Sequence, residues 1–297
     1  MDRRRLEENI FKGISYLAGI ISGLILIVIM GKIAWAGIPY INWYFLLTSE
    51  NETPGIGGGI GNSIAGTFVL SVFATAIASP LAVGLAVYMK RYAKNRPFIK
   101  LVDFCVEVIS GTPSIVLGAL GILILVFYLR YYTGGFSLIS GSIALSLLIL
   151  PVIERAAEQA IDRVPKELEE ASYALGANKW ETITKITLPF ALSGIITGIV
   201  LGIGRAAEES AIVIMTAGYS IHMLSFKIVP NEALVYGVKV YPFQALLATL
   251  PITIYNSYHY PTMVDQGEGF AAALVLIGIV MFINLGTRLL LRRRRIG

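Results

Sequence analysis

The chain has 297 residues, of which 56% are hydrophobic and only 14% charged, and its mean hydropathy is +0.72. Soluble domains carry about 25% charged residues, so the composition excludes an ordinary soluble globular protein and predicts an all-α polytopic membrane protein. The formal net charge of +5 does not signal nucleic acid, because the basic residues sit in short segments beside apolar runs, where they report membrane orientation.

Six apolar runs are long enough to span a bilayer, which needs roughly 17–25 residues. They lie near 13–36, 64–89, 104–129, 136–153, 189–217 and 270–291. The segments between them alternate in charge. Arg3, Arg4, Arg5 and Lys12 precede the first run, and Lys90, Arg91, Lys94, Arg96 and Lys100 separate the second from the third. Arg155, Arg163, Lys166, Lys179 and Lys185 separate the fourth from the fifth, and Arg288 with Arg292 to Arg295 close the chain. The other segments hold only Lys32, Arg130, Lys227 and Lys239. The excess of positive charge on one side places both termini in the cytoplasm and requires an even number of spans. No cleavable signal peptide is expected, since the first run is too long for an h-region and lacks a small-residue cleavage site.

After the first run, Tyr40, Trp43, Tyr44 and Phe45 read as an aromatic belt at the outer interface. Gly55 to Gly61 reads as a flexible linker, outside the pattern and the compartment of a nucleotide loop. Cys105, the single cysteine, excludes an intrachain disulfide and a cysteine metal cluster, and reads as a small buried residue. In the third run, Pro113 within Ser110-Gly111-Thr112-Pro113-Ser114 removes a helical hydrogen bond. Two readings follow: a plain kink, or a break at which the hydroxyls of Thr112 and Ser114 line a polar path. Glu107 lies near enough to the cytoplasmic edge to snorkel.

The fifth run carries Arg205, Glu208 and Glu209 at a depth where insertion of one arginine costs roughly 2.5–3.5 kcal/mol. On a helical wheel Gly194, Gly198, Gly202, Arg205 and Glu209 share one quadrant, with Glu208 at its edge. The glycines predict close helix packing. The charges predict either a pathway for a charged solute or an i,i+4 pair of Arg205 with Glu209 inside the seam. The segment from Ala233 to Tyr255, interrupted by Lys239 and Pro242, is assigned to the external side as a re-entrant or surface-lying stretch. His222 and His259 have no neighbouring ligand set, no G-x-x-x-x-G-K-[ST] loop occurs, and no nucleophile–base pair stands out. Neither an enzyme nor a resident metal is expected.

Between the fourth and fifth runs, Pro165 can open a short helix with Glu167, Glu169 and Glu170 near its positive end. Leu168, Ala171 and Leu175 form one face, and Gly176 is suited to end it. Asn178 followed by Glu181 predicts a capping box for a second short helix bearing Trp180 and Ile183.

Glu170-Ala171-Ser172-x-x-x-Gly176, then nine residues, then Ile186-Thr187-Leu188-Pro189 resembles the EAA signature of bacterial and archaeal ABC-importer permeases. Ser172 stands for that signature's second alanine. The resemblance implies a type I importer permease fold and a coupling helix, carried by Glu170, Ala171, Ser172, Gly176, Ile186, Leu188 and Pro189, that docks on a separate ATPase. From about Gly57 onward the chain is similar to phosphate permeases of the PstA type, and somewhat less to the PstC type. The resemblance rests on Gly59-Ile60-Gly61-Asn62-Ser63-Ile64-Ala65-Gly66-Thr67, Pro80-Leu81-Ala82-Val83-Gly84, Thr112-Pro113-Ser114-Ile115-Val116, Gly204-Arg205-Ala206 and Leu250-Pro251-Ile252-Thr253-Ile254-Tyr255. That family's Gly-Arg-Ala-x-Gly-Glu-Thr places Arg205 and Glu209 on matching positions, whereas Glu208 replaces a glycine and Ser210 a threonine.

The resemblance implies half of the pore of an ATP-driven phosphate importer in the cytoplasmic (inner) membrane. Its implied partners are a PstC-like second permease, a PstB-like ATPase dimer and a PstS-like phosphate-binding protein. ATP and Mg would be used by the ATPase, with no cofactor on this chain. Residues 1–58 form the N-terminal tail, first span and external linker; 59–291 form the permease core with its coupling loop at 154–188; 292–297 form a basic tail. Arg205 would attract phosphate and Glu209 would pair with Arg205 when the path is empty. Two alternatives stay open: a permease for molybdate, tungstate or sulfate, and an ion-coupled secondary transporter using the Arg–Glu cluster as a proton relay.

Overall fold

The computed structural model describes residues 3–50, 58–259 and 265–294. Gly55 to Gly57 of the glycine linker and Arg295 of the closing basic run lie outside the described residues. The first helix, α1 (Arg3–Gly37), presents apolar side chains such as Leu24, Ile27 and Val28 to its surroundings. It meets the rest of the chain at Gly37, where an added Cβ would fall 2.8 Å from the carbonyl oxygen of Phe270. The aromatic belt divides. Asn42 caps the short α2 (Trp43–Leu47) through its side-chain oxygen, which turns Phe45 into the core and leaves Trp43 and Tyr44 exposed. The described end of the glycine linker is not free either. Gly59, Ile60 and Gly61 each donate a backbone hydrogen bond to residues 45–49, an approach so close that only glycine fits at Gly59.

Two helices form the centre of the core: α3 (Gly61–Val87), extended by a π turn at Tyr88–Tyr92, and α7 (Leu138–Asp162). The i,i+4 alanines Ala74, Ala78 and Ala82 let α3 approach Leu145, Ile149 and Ile153 of α7. The predicted third span is two helices, α4 (Arg96–Gly111) and α5 (Ser114–Gly121), the latter running on as a π stretch to Tyr128. They meet at 98°, far beyond a proline kink. Pro113 forces Thr112 into extended backbone with ψ 130°, so the helix cannot continue through the pair. A single turn, α6 (Arg130–Thr133), then leads into α7.

The loop after α7 folds as α8 (Lys166–Ala174) and α9 (Lys179–Thr182), and α9 continues through a π turn into α10 (Leu188–Ala207). Here the glycine seam packs as expected: Cβ atoms added at Gly194, Gly198 and Gly202 would fall 2.5, 2.5 and 2.9 Å from Ala160, Ala156 and Ile153 of α7. The predicted fifth span at 189–217 breaks, however, and α11 (Ala211–Thr216) is a separate helix. Beyond it, a two-stranded antiparallel hairpin pairs β1 (Ile228–Pro230) with β2 (Val238–Val240), and α12 (Leu250–His259) and α13 (Gln266–Arg294) complete the chain. The segment assigned to the external side is not surface-lying throughout. Residues 243–250 fold back into the bundle, with Phe243 and Ala245 accepting from the backbone of Ile139 and Leu138, and Leu250 N–H donating to Thr67 Oγ1 at 2.8 Å.

Among the described residues, five helical segments are long and apolar enough to cross a membrane: Ile10–Tyr40, Gly61–Tyr92, Leu138–Asp162, Lys179–Ala207 and Gln266–Leu289. The bent pair Arg96–Gly111 and Ser114–Tyr128 passes the same test only when its two arms are taken together.

Candidate pathway and coupling sites

The charged cluster sits where α10 ends. Gly198 and Gly202 face α7, Gly204 lies nearest Val280 and Asn284 of α13, and Ala206 and Ala207 are buried. Phe190, Thr197, Leu201 and Arg205 form an exposed stripe of α10 that continues to Glu208, while Leu192 is exposed on the opposite side of the helix's first turns. Among the described residues the side chains of Arg205 and Glu208 have neither an ion pair nor a hydrogen bond.

Glu209 does something else. It is only 8% exposed, and its carboxylate accepts from the backbone N–H groups of Ala211 (3.0 Å) and Ile212 (3.4 Å), capping α11. The i,i+4 pair of Arg205 with Glu209 therefore does not form. The spacing argument required a continuous helix, and the helix stops at Ala207.

The two breaks belong together. Gly118 of α5 packs on Ala211, Ile212 and Met215 of α11, and Gly121 packs on Thr216. Positions advance in the same direction on both helices, so α5 and α11 run parallel. Their N-terminal ends, just after Thr112–Pro113 and just after Glu208–Ser210, lie on the same side of the pair. A helix N-terminus is a positive dipole end; that of α11 is already taken by the Glu209 carboxylate. Thr112 Oγ1 is used locally, donating to Val108 O at 2.6 Å, while Ser114 sits half-buried in the first turn of α5. Glu107 forms an ion pair with Arg155 of α7 at 3.3 Å.

A cleft of about 710 Å³ between α3, α10 and α13 is lined by Thr67, Ser71, Ile203, Ala207, Ile279 and Phe282 among others. Its hydroxyls are committed to the backbone carbonyls of Ser63 and Thr67, so it offers an oxyanion no donor.

The loop between α7 and α10 is built as its residues predict. Gly176 adopts φ +85°, with its N–H donating to Tyr173 O and that of Ala177 to Ser172 O, a Schellman turn that ends α8. Asn178 and Glu181 form a reciprocal capping box at 3.0 and 2.9 Å. Glu170, Ala171, Gly176 and Pro189 are exposed, and Ser172, Ile186 and Leu188 half-buried. Ser172 shares a 3.0 Å hydrogen bond with Thr182, tying α8 to α9. Leu175 and Trp180 stand 89% and 65% exposed beside Leu168 and Tyr173, an apolar surface that none of the described residues covers.

Sequence reasoning missed what holds this loop. Glu169 accepts from Arg91 Nε at 2.8 Å and from Thr187 Oγ1 at 2.6 Å, and Arg91 Nη2 donates to Ile161 O at 3.0 Å. Lys90 pairs with Asp162 at 2.9 Å and reaches Glu158 at 3.7 Å. The end of α3 is thus pinned to both α7 and α8. The sequence signal was the basic pair Lys90-Arg91 opposite the acids of 158–170, but nothing in it selected Glu169 from its neighbours. Away from the coupling loop, Tyr219 donates a short hydrogen bond to the Glu50 carboxylate, and burial pushes both groups above their ordinary values.

Residues 78–296 match the family described as binding-protein-dependent transport system inner membrane component. A phosphate transport system permease protein PstA of Mycobacterium leprae is 33% identical over 95% of this chain and 88% of its own length. A probable ABC transporter permease protein of Bacillus subtilis, YqgI, is 32% identical over 75% of this chain and 74% of its own. Among solved structures, a bacterial alginate ABC transporter in complex with an alginate pentasaccharide-bound periplasmic protein superposes with a TM-score of 0.65 at 17% identity, covering 97% of this chain and 98% of that one.

Proposed function

We propose, from the premise that this chain belongs to the family of binding-protein-dependent transport system inner membrane components, that it is a permease subunit of an ATP-driven phosphate importer. It has the fold of type I ABC-importer permeases, and it is a transport component, not an enzyme. The observation that carries the reading is Arg205: among the described residues, a guanidinium without a partner on an exposed face of α10. In an assembly of two permeases, that face would line the route shared between them.

A guanidinium suits a tetrahedral oxyanion because its planar fork donates two hydrogen bonds at once. One such group is enough for permeation, which calls for a site weak enough to release its ion. Glu208 beside it supplies selectivity. Phosphate at neutral pH still carries a proton and can donate to a carboxylate, whereas sulfate carries none and meets only repulsion. Glu209 is not available for this, because its carboxylate is spent on the α11 cap.

Energy would enter through α8 and α9. In this reading their exposed apolar surface docks on a PstB-like ATPase dimer, where ATP and Mg act, with a PstC-like second permease alongside and a PstS-like binding protein delivering the anion from outside. The assembly would sit in the inner membrane with both termini cytoplasmic. Movement of the docked loop has two rigid routes inward: the Arg91–Glu169 tie to α3, and the continuous segment Lys179–Ala207, which carries Arg205 at its far end. Uptake by vesicles containing the co-purified complex tests the reading. Phosphate uptake should require ATP and exceed sulfate or molybdate uptake; uptake that survives ATP depletion and collapses with the proton gradient would replace it with ion-coupled transport.

A further inference from the structure

The 98° bend between α4 and α5 has a geometric consequence. Ser114 to Tyr128 carries no charged residue and, at 1.5 Å per residue, is about 22 Å long. It belongs in hydrocarbon, close to the membrane normal. A helix leaving it at a right angle must then run close to the membrane plane, on the side where segment 90–100 lies, which the charge pattern makes cytoplasmic.

The side chains of α4 fit that position. Its polar residues, Arg96, Lys100, Asp103 and Glu107, occupy one face. Ile99, Val102, Val106 and Ile109 form a second, half-buried to buried, where α4 packs on α7. Phe98, Leu101, Phe104, Cys105 and Val108 form a third, and all five are exposed. Cys105 is therefore not the buried residue its apolar setting suggested: it points away from the packed face.

Charge identifies what meets the exposed face. Of the five basic residues in segment 90–100, Lys90 and Arg91 are bound to acids of α7 and α8. Lys94, Arg96 and Lys100 are exposed and have no acidic partner among the described residues. Three unpaired cations beside an apolar stripe complement an anionic lipid surface, with the stripe in the acyl boundary and the cations at the phosphates. We infer that α4 is a membrane-surface helix that seats its Phe98–Val108 face in the cytoplasmic leaflet and gathers anionic phospholipid through Lys94, Arg96 and Lys100.

The native Cys105 allows a test without altering the face. A bimane fluorophore is attached there in the complex assembled with its co-expressed subunits, reconstituted in equal parts phosphatidylcholine and phosphatidylglycerol. Either lipid is then supplied with chain bromines at graded depths. Quenching should be strongest for bromines about 5–10 Å below the headgroups and stronger from phosphatidylglycerol. Arg96→Gln with Lys100→Gln should lower that preference by up to about fivefold per charge, from ~1 kcal/mol for each basic residue at an anionic surface. Quenching by iodide from the water, or by neither iodide nor lipid because another protein chain covers the face, would overturn the seating. Equal quenching by the two lipids would overturn the anionic preference.

Discussion

Arg91 and Glu169 lie 78 positions apart in sequence, yet the guanidinium Nε donates to the carboxylate at 2.8 Å, joining the end of α3 to the first turns of α8. Both side chains are largely shielded, at 17% and 12% exposure, so the bond acts outside the solvent screening that weakens surface pairs. A docking loop hung only on flexible termini would absorb an ATPase stroke. In the proposed reading this tie passes it on to the core. Glu169→Gln should cost about 1–3 kcal/mol of local stability and lower the phosphate moved per ATP several-fold, with ATP turnover retained. An unchanged transport ratio would show that force takes another route.

Gly176 tests the corner of the same loop. Its φ of +85° is costly for any L residue, although the space around it is open. Gly176→Ala should destabilise the α8–α9 turn by about 1–2 kcal/mol, seen as faster proteolysis between α8 and α9 and weaker retention of the ATPase on purification. Retention equal to the parent would mean that the turn's backbone is not what presents the docking surface.

The α7–α10 seam should reject bulk. A Cβ on Gly198 would sit 2.5 Å from that of Ala156, so Gly198→Val should overpack the seam and cost about 1–3 kcal/mol. Ala156→Gly in the same chain should restore part of the loss in thermal midpoint. Absence of rescue would place the strain elsewhere.

Acid should relieve the cost of burying the Glu50 carboxylate beside Tyr219. Burial holds the Glu50 carboxyl above its ordinary 4.5, so the folded chain binds its proton more tightly than the unfolded chain does. Its contribution is full below 4.5 and is lost as pH rises through the raised value. The thermal midpoint should therefore fall across that window, and Glu50→Gln, which keeps an acceptor for the Tyr219 hydroxyl, should flatten the fall. A parent and variant with the same pH profile would assign the dependence to other groups.

Legibility followed the range of the interaction. Local chemistry came through: the apolar runs, the capping box at Asn178, the turn at Gly176 and the glycine face of α10 follow from spacing and backbone preference. The errors arose where tertiary packing overrode a helical wheel. Arg205 and Glu209 align only if the helix continues, and nothing local to 208–210 announced the break that gives Glu209 to α11. The proline at 113 marked a disturbance but not a right angle. Buried segment 243–250 and the Arg91–Glu169 tie depend on partners more than 70 positions away, beyond any periodicity.

Glu208 governs the choice of anion in this account. Glu208→Gln removes the repulsion that excludes unprotonated oxyanions, so sulfate should compete with phosphate uptake far better than in the parent, while phosphate flux itself falls modestly. Competition curves with both anions measure this. Unchanged exclusion of sulfate would move selectivity to another subunit.

The most direct measurement is ATP-driven phosphate uptake by vesicles holding the complex with Arg205→Gln beside the parent, after confirming equal assembly and ATP turnover. The account predicts that flux falls at least tenfold, as expected from losing a charge-assisted contact of about 1.5–3 kcal/mol. Parent-level flux from an assembled variant would contradict it.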